Sequence, residues 1–320
     1  MKILLAGGSG QVGSMLARAF HSSGDEVVVL GRSQPKHPLP WRLVEWDGRT
    51  AGAWSDELEG SDVVIGLAGR SVNCRYTPEN RRLIKDSRVH SVHALGAAIA
   101  GAANPPRIWL QASTATIYRH TYGPPNDETN GILGGNEPGV PETWRFSIDV
   151  ATAWERAVRE VGSLPRTRVV LLRSAMTMSA DQGGVFAAFL RLVRLGLGGA
   201  SGDGRQFVSW IHETDFVRAM RWIMENEAIS GPVNIAAPHP VPNEEFMRAL
   251  RKAWGTPFGL PAAGLLLEAG AGLFRTETEL ILKSRCVVPG RLLKDGFEFN
   301  FPIWPDAAAD LCRRWRLANP

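Results

Sequence analysis

The chain of 320 residues is poor in cysteine, poor in tyrosine and without a long apolar run. Cys74, Cys286 and Cys312 are odd in number, scattered and without a CxxC pair. That pattern excludes a disulfide framework and a thiolate zinc site, and it fits a reducing cytosol. The opening "MKILLAGGSG" has one lysine and a short apolar run before its glycines, far less than the apolar core of a secretion signal. The longest later apolar stretch, "LPAAGLLLEAGAGLF" at 260–274, is interrupted by Glu268 and is too short to span a bilayer. It reads as a buried helix or a pocket wall. Neither sign of charge dominates: 36 basic against 32 acidic residues leave +4, too little to argue for nucleic acid. No grouping of ligand side chains resembles a metal site, and no internal repeat stands out.

What is present is a globular composition, 44% apolar, on a chain longer than a typical single core. Two cores, or one large core with a smaller lobe, are expected. "KILLA" at 2–6 is a buried-strand run, followed by "GGSGQVG" and a helical pattern ending at a glycine. "DEVVVLGR", "WRLVEWD" and "SDVVIGLAG" continue as strands, with an acidic helix near 53–59. A long helix is predicted from Pro78 to about Ala103, then the strand "RIWLQAS" at 107–113. Residues 119–143, dense in Gly, Pro, Asn and Asp, read as a functional loop over an active site. A helix over 144–160 and the strand "TRVVLLRSAMTM" come next. Beyond these lie a helix near 185–196, "FVSWIH", a helix from Asp215, the strand "PVNIA" and helices from Asn243 onward. Strands and helices alternating at this spacing predict an α/β fold: a Rossmann-type doubly wound parallel sheet with a smaller, mostly helical C-terminal substrate lobe. The expected division is 1–172 for the nucleotide-binding part, with elements near 207–237 returning to it, and 173–320 for the lobe.

In "GGSGQVG", Gly7, Gly10 and Gly13 stand at i, i+3 and i+6, after a strand and before a helix. Such glycines allow the tight turn and close approach of backbone N–H groups to a pyrophosphate at the helix N-terminus. Ser9, Gln11 and Val12 share the turn. At the end of strand two, where NAD-binding proteins place a carboxylate on the ribose, stand Gly31, Arg32 and Ser33. A guanidinium there suits a 2'-phosphate, so NADP(H) is the cofactor expected, unless Arg32 is only a solvated surface residue. Asp47 either accepts from the adenine amine or merely starts a turn.

Together, GxxGxxG, "GLAG" after strand four and "QASTATIY" at the end of strand five resemble the extended short-chain dehydrogenase/reductase superfamily. More narrowly, the chain is similar to an atypical branch called the epimerase family, with a DUF1731 C-terminal region from about residue 260. The stretches "RYTPENRRLIKDSRVHS", "RLGLGGASGDGRQFVSWIHETDFVRAM", "GPVNIAAPHPVPNEEF" and "VVPGRLLKDGFEFNFP" carry that resemblance. It implies cofactor contacts from Leu67, Ala68, Gly69, Arg88, Ala112 and Ser174 beside the glycine turn. Three departures stand out. Counting back from Glu155 puts Ser147 at the usual tyrosine and Ala151 at the usual lysine; neither can do the work of the residue it replaces, so any proton is expected to come from elsewhere. None of the tyrosines at 76, 118 and 122 has a lysine four residues on. Val208 replaces the arginine with which sugar-nucleotide epimerases contact a diphosphate, and Arg88 replaces an asparagine. Arg81, Lys85 and Arg88 share one helical face, either a solvated basic face or a site for an anion.

Reduction of a carbonyl needs a proton donor within hydrogen-bond reach. The candidates are Thr114 with Ser113 beside it, and Tyr118, whose phenol, ordinarily near pKa about 10, needs a neighbouring cation such as Arg88. Asp149 is a further candidate if it faces the cleft and not solvent. Glu155 is expected to pair with Arg159 one turn on. His120 and His212 are weaker candidates, the latter set before an N-cap at Thr214 or Asp215. The leading expectation is an NADP-dependent oxidoreductase on a small, partly apolar molecule, in the cytoplasm, as monomer or homodimer. The rival is a non-catalytic NADP(H)-binding sensor or scaffold; a nucleotide-sugar epimerase comes third.

Overall fold

A computed structural model describes residues 1–34, 37–261 and 279–319. The apolar stretch expected over 260–274 lies, after Pro261, outside the described residues.

The sheet is built from the runs that the sequence makes apolar on both faces. Strands β1 (Lys2–Ala6), β2 (Glu26–Gly31), β3 (Arg42–Glu45), β4 (Val63–Gly66), β5 (Ile108–Thr114) and β6 (Arg168–Ser174) alternate with helices α1 (Gln11–Ser22), α2 (Pro78–Gly101) and α3 (Glu142–Glu160). After β7 (Met176–Met178), α4 (Val185–Arg194), β8 (Phe207–Val208), β9 (Trp210–His212) and α5 (Glu213–Glu225), the chain returns as β10 (Gly231–Ile235). The seven strands run in the order β10-β6-β5-β4-β1-β2-β3, all parallel. Short β11 (Val241–Pro242) pairs with β8, and α6 (Asn243–Trp254), α7 (Glu279–Leu282), α8 (Gly290–Lys294) and α9 (Trp304–Ala318) complete the chain.

Alternation sorts each strand's side chains between two layers. Ile3, Leu5, Val27, Val29, Val63 and Ile65 pack with Leu16 and Phe20 of α1 and Phe216 and Ile223 of α5. Leu4, Val28, Val64 and Trp109 pack with Val92, Leu95 and Ile99 of α2 and Trp154 and Val158 of α3. A third core, made of Phe186, Leu190, Phe246, Leu250, Trp304 and Leu311, holds α4, α6 and α9 together. Its centre is Phe246 stacked on Trp304 at 4.0 Å between ring centroids.

Three local expectations change. The acidic segment near 53–59 is a single 3-10 stretch, Ala53–Leu58, because the seven residues between Gly52 and Gly60 are too few to nucleate an α-helix. Helix α3 starts at Glu142, two residues early. His212 itself caps α5: its Nδ1 accepts from the Thr214 N–H at 3.1 Å. Of the two residues expected to cap, Thr214 supplies the capped N–H and Asp215 is buried inside the first turn. Its carboxylate accepts from the N–H groups of Asn300 and Phe301, each at 2.8 Å.

Asp215 thereby ties the C-terminal stretch to the returning limb of the sheet. Asp215→Ala removes both charged acceptors and strands two amides, so we expect a loss of about 3 kcal/mol in urea unfolding.

Candidate functional site

All the parallel strands deliver their C-terminal ends to one edge, where a nucleotide is ordinarily bound. Gly7 has φ +81°, and a Cβ there would stand 2.6 Å from Ala68 Cα. A Cβ on Gly13 would stand 2.4 Å from Gly8, so the helix start is packed directly on the turn. Gly10 differs: a Cβ there would meet only the Gly7 carbonyl, at 4.0 Å, because this glycine faces open space. It also caps α1 without a side-chain acceptor, leaving first-turn N–H groups to an external anion. Gln11 Nε2 is buried beside it with no hydrogen-bond partner among the described residues. These features fit a pyrophosphate.

Around that turn stand most of the residues expected there. Ser9 Oγ lies 3.5 Å from the position a Cβ on Gly31 would take. Arg32 and Ser33 are exposed just beyond. Val12 and Leu67 pack on the core beneath. Ala68 supports Gly7, and a Cβ on Gly69 would touch the Arg88 guanidinium at 3.2 Å. Ala112 and Ser174 sit at the ends of β5 and β6, where Thr114 and Ser174 are register partners. Asp47 holds its turn: Oδ1 accepts from the N–H groups of Arg49 and Thr50 and Oδ2 from the Thr50 hydroxyl. Those bonds, the Thr50 amide first, hold its carboxyl below the usual range. Starting the turn is one of the two roles expected of it.

Beside the turn opens a cavity of about 140 Å³. Tyr76, Phe146 and Trp154 form its apolar wall, and Arg88, Thr114, Thr116, Ser147 and Glu279 its polar end. The basic face expected on α2 is thereby split. Arg81 pairs with Glu142 of α3, Lys85 is exposed, and Arg88 turns inward over the Trp154 ring at 4.9 Å. Arg88 donates through Nη1 to the carbonyls of Arg70 and Ile84, and burial lowers its pKa to about 10.

Of the four expected catalytic residues only Thr114 lines this cavity. Its Oγ1 accepts from the Thr116 N–H at 3.2 Å, which leaves its own proton free for a ligand. Tyr118 is 2% exposed and held from both sides. It donates to Asn234 Oδ1 and accepts from Arg173 Nη1, both at 2.9 Å. Burial pushes its phenol up despite Arg173, so the neighbouring cation does not make it a ready acid. That cation is Arg173, not Arg88. Ser113 points into the same buried network, donating to Glu155 Oε1 at 2.7 Å. Asp149 is exposed on the outer face of α3, since Ile148, Val150 and Ala151 are the residues that turn inward. Glu155 is 2% exposed and makes a two-pronged pair with Arg173, 2.8 Å on each side, instead of pairing with Arg159. Its charge and hydrogen bonds more than offset the burial of Arg173.

The two remaining imidazoles are structural. His120 Nδ1 accepts from the Ser284 N–H at 2.9 Å, fixing the loop to the C-terminal segment. His212 stacks on Phe301 at 3.9 Å, and burial lowers it to about 4.

Sequence reading missed the contribution of α7 and of the residues just after it. Glu279, 1% exposed, accepts from Ser147 Oγ at 3.2 Å and pairs with Arg285 at 2.6 Å. Arg285 also donates to Thr116 Oγ1 at 3.1 Å, and Lys283 to the Thr116 carbonyl at 2.7 Å. Lys283 is 1% exposed; burial first, then Arg285, bring its ammonium down to about 7. The available signal was three charged residues within "ELILKSR", a spacing that an exposed helix shares.

Unfolding measurements test both buried groups. Tyr118→Phe should cost about 1–2 kcal/mol in urea unfolding, because Arg173 and Asn234 each lose a buried partner. The Lys283 ammonium titrates near 7 in the fold and near about 10.4 in the unfolded chain. Between those values the unfolded chain holds the extra proton, so this group makes stability rise with pH. The stability of Lys283→Met minus that of the wild type should therefore be largest below about pH 7 and fall toward about pH 10.

Comparison with known proteins agrees with this geometry. A model of the NAD dependent epimerase/dehydratase family matches residues 3–236, and a domain of unknown function, DUF1731, matches 262–311. The mouse protein named Epimerase family protein SDR39U1 is 31% identical over 97% of this chain and 99% of its own length. A Staphylococcus aureus Epimerase family protein, SA0724, is 29% identical over 97% and 98%. The crystal structure of human SDR39U1 with NADPH superposes with a TM-score of 0.83 at 27% identity, covering 98% of this chain and 99% of that one. A nucleoside-diphosphate sugar epimerase from Corynebacterium glutamicum gives 0.71 at 26% identity, over 98% and 58%. The glycine turn, the parallel sheet and these matches place the chain in the NAD dependent epimerase/dehydratase family, in its extended short-chain-reductase branch with a DUF1731 C-terminal region.

Proposed function

We propose that this chain is an NADP(H)-dependent oxidoreductase acting on a small, partly apolar molecule. The observation that carries this reading is the position of Thr114. Its hydroxyl lines the cavity at the C-terminal end of β5, on the same sheet edge as the open glycine turn. NADPH in the human relative supports the choice of cofactor. When bound, NADP(H) supplies or takes up the hydride.

The chain's residues divide the remaining work. Backbone N–H groups from Gly7 to Gly13, with Ser9, Gln11 and Val12 in the turn, hold the pyrophosphate. Arg32 and Ser33 take the 2'-phosphate, which the lack of a carboxylate after β2 leaves unopposed. Leu67, Ala68, Gly69, Ala112 and Ser174 line the cofactor's path. Arg88 brings to the cavity the fixed cation that Ala151 cannot provide. Thr114 orients a carbonyl.

A cavity of about 140 Å³ is smaller than ordinary drug-sized sites, about 300 Å³ and up, which favours a small substrate. Val208, 4% exposed in the core, offers a nucleotide sugar no charge-assisted contact. The three free thiols, with burial pushing Cys286 and Cys312 up to about 11, suit the reducing cytoplasm that we assign.

One observation favours the rival reading of an NADP(H)-binding sensor: the phenol expected to give up the proton, Tyr118, is locked by Arg173 and Asn234. Single-turnover mixing of the full chain with NADPH and small aldehydes and ketones separates the two. Loss of nicotinamide absorbance with any of them is the result expected; none with the whole panel leaves the sensor. Arg32→Ala should weaken NADPH binding by about tenfold while leaving NADH unchanged, measured by fluorescence titration.

A further inference from the structure

Tyr118, Ser113 and Asp149 lie outside the cavity and a lone serine or threonine hydroxyl is a poor acid, so the hydroxyls that do line it, those of Tyr76, Thr114, Thr116 and Ser147, have to be weighed by their partners. Counting back from Glu155 sets Ser147, on α3, at the position expected for the family's tyrosine. The side chain next to it comes from 132 residues further along: Glu279 Oε2, 3.2 Å from Ser147 Oγ. Both line the same cavity. The two carboxylate oxygens have separate partners, Oε1 facing Arg285 and Oε2 facing Ser147. Holding the C-terminal segment in place needs only the first. Arg285 is itself fixed on Thr116 Oγ1, so the second oxygen is aimed at Ser147 by a rigid frame. A hydroxyl backed by a buried carboxylate, itself oriented by a third group, is the arrangement by which proteins activate weak hydroxyls.

We propose that Ser147 is the catalytic proton donor and acceptor of this cavity, and that Glu279 is the group with which it exchanges the proton. The proposal rests on the oxidoreductase reading. In the direction of carbonyl formation, the substrate O–H bond breaks and its proton bonds to Ser147 Oγ. The hydroxyl's own proton passes to Glu279 Oε2. The C–H hydrogen leaves with both electrons of its bond, as a hydride, to the oxidised nicotinamide, the oxidant that reading names. A carbonyl results, with one proton on Glu279 that leaves to water; carbonyl reduction runs the same transfers backwards. The charged groups facing Glu279 are Arg285 and Lys283 from its own segment and Arg88 from α2, while Glu137 of the loop acts on Lys283 and Lys283 in turn on His120.

The test uses the full chain with NADP(H) and, as probes, benzaldehyde, phenylpyruvate, cyclohexanone and the corresponding alcohols. On whichever probe turns over fastest, Ser147→Ala should lose about 100-fold or more in single-turnover rate and leave NADPH affinity within about twofold. Ser147→Thr, which keeps the hydroxyl, should stay within about tenfold. Glu279→Gln, which keeps the shape but loses the carboxylate acceptor, should be slowed about as much as Ser147→Ala. A readout that needs no turnover is the infrared difference spectrum of the NADP⁺ complex. The Glu279 carboxylate stretch should shift in Ser147→Ala, which removes its hydrogen-bond donor, and vanish in Glu279→Gln. A carboxylate held by Arg285 alone gives no such shift. Turnover with Ser147→Ala at the wild-type rate, or a carboxylate stretch indifferent to Ser147, overturns the relay and leaves the oxidoreductase reading standing. NADPH binding without turnover of any probe overturns that reading and the relay with it. Should Glu279→Gln fail to fold for want of a partner for Arg285, Ser147→Ala, which leaves that pair intact, decides the matter.

Discussion

The site hangs on one buried ion pair. Glu155 and Arg173, 2% and 7% exposed, meet through two hydrogen bonds across the gap between α3 and β6. Taking both charges out of water is costly, and the cost is recovered only if every remaining polar contact is made. Here they are made: Ser113 from β5 donates to Glu155, and Tyr118 joins Arg173 to Asn234 of β10. Asn234 continues the chain, its N–H donating to Glu128 and its amide nitrogen to the Val288 carbonyl. Three strands, a helix, the long loop and the C-terminal segment thus meet in one polar core. The pair fixes α3 against the sheet, and through α3 it sets Ser147, two turns earlier, at the edge of the cavity.

This explains why a tyrosine near the expected place does not behave as the family's tyrosine does. From the sequence, Tyr118 is a phenol one turn after the Ser/Thr strand end, and nothing local reveals its partners. Arg173 and Asn234 lie 55 and 116 residues away. The same limit applies to Glu155, whose i+4 neighbour is an arginine and whose real partner lies on β6. Local pairing rules describe exposed helix faces, and Glu155 is not on one.

The fold was legible because it is written in periodicities. Apolar runs such as residues 27–30 and 63–65 have no polar alternate, so they declare strands covered on both faces. The glycine spacing declared the phosphate turn, and the structure adds why each glycine differs: two are crowded by backbone and Gly10 alone faces open space. The polar end of the cavity was only half legible. Thr114 and Ser147 belong to the β5 and α3 patterns, whereas Glu279, Lys283 and Arg285 read as an ordinary charged stretch. Their burial is a tertiary fact, since buried lysine and glutamate are rare enough that sequence alone argues against them.

The loop over 119–141 and the segment after α7 share a further property. Asn126, 3% exposed, joins them through its backbone and its side-chain amide, and its Oδ1 braces the loop itself. Its N–H and side-chain amide donate to the Cys286 carbonyl, its own carbonyl accepts from the Val288 N–H, and its Oδ1 accepts from the Ile132 N–H. The two segments are therefore one mechanical body built from distant stretches of chain, standing behind the cavity's polar end through the bonds of Lys283 and Arg285 to Thr116. A change in either has to be accommodated by the other, so the two are inherited as a matched pair, and exchanging the loop alone between relatives would leave a seam that no longer closes.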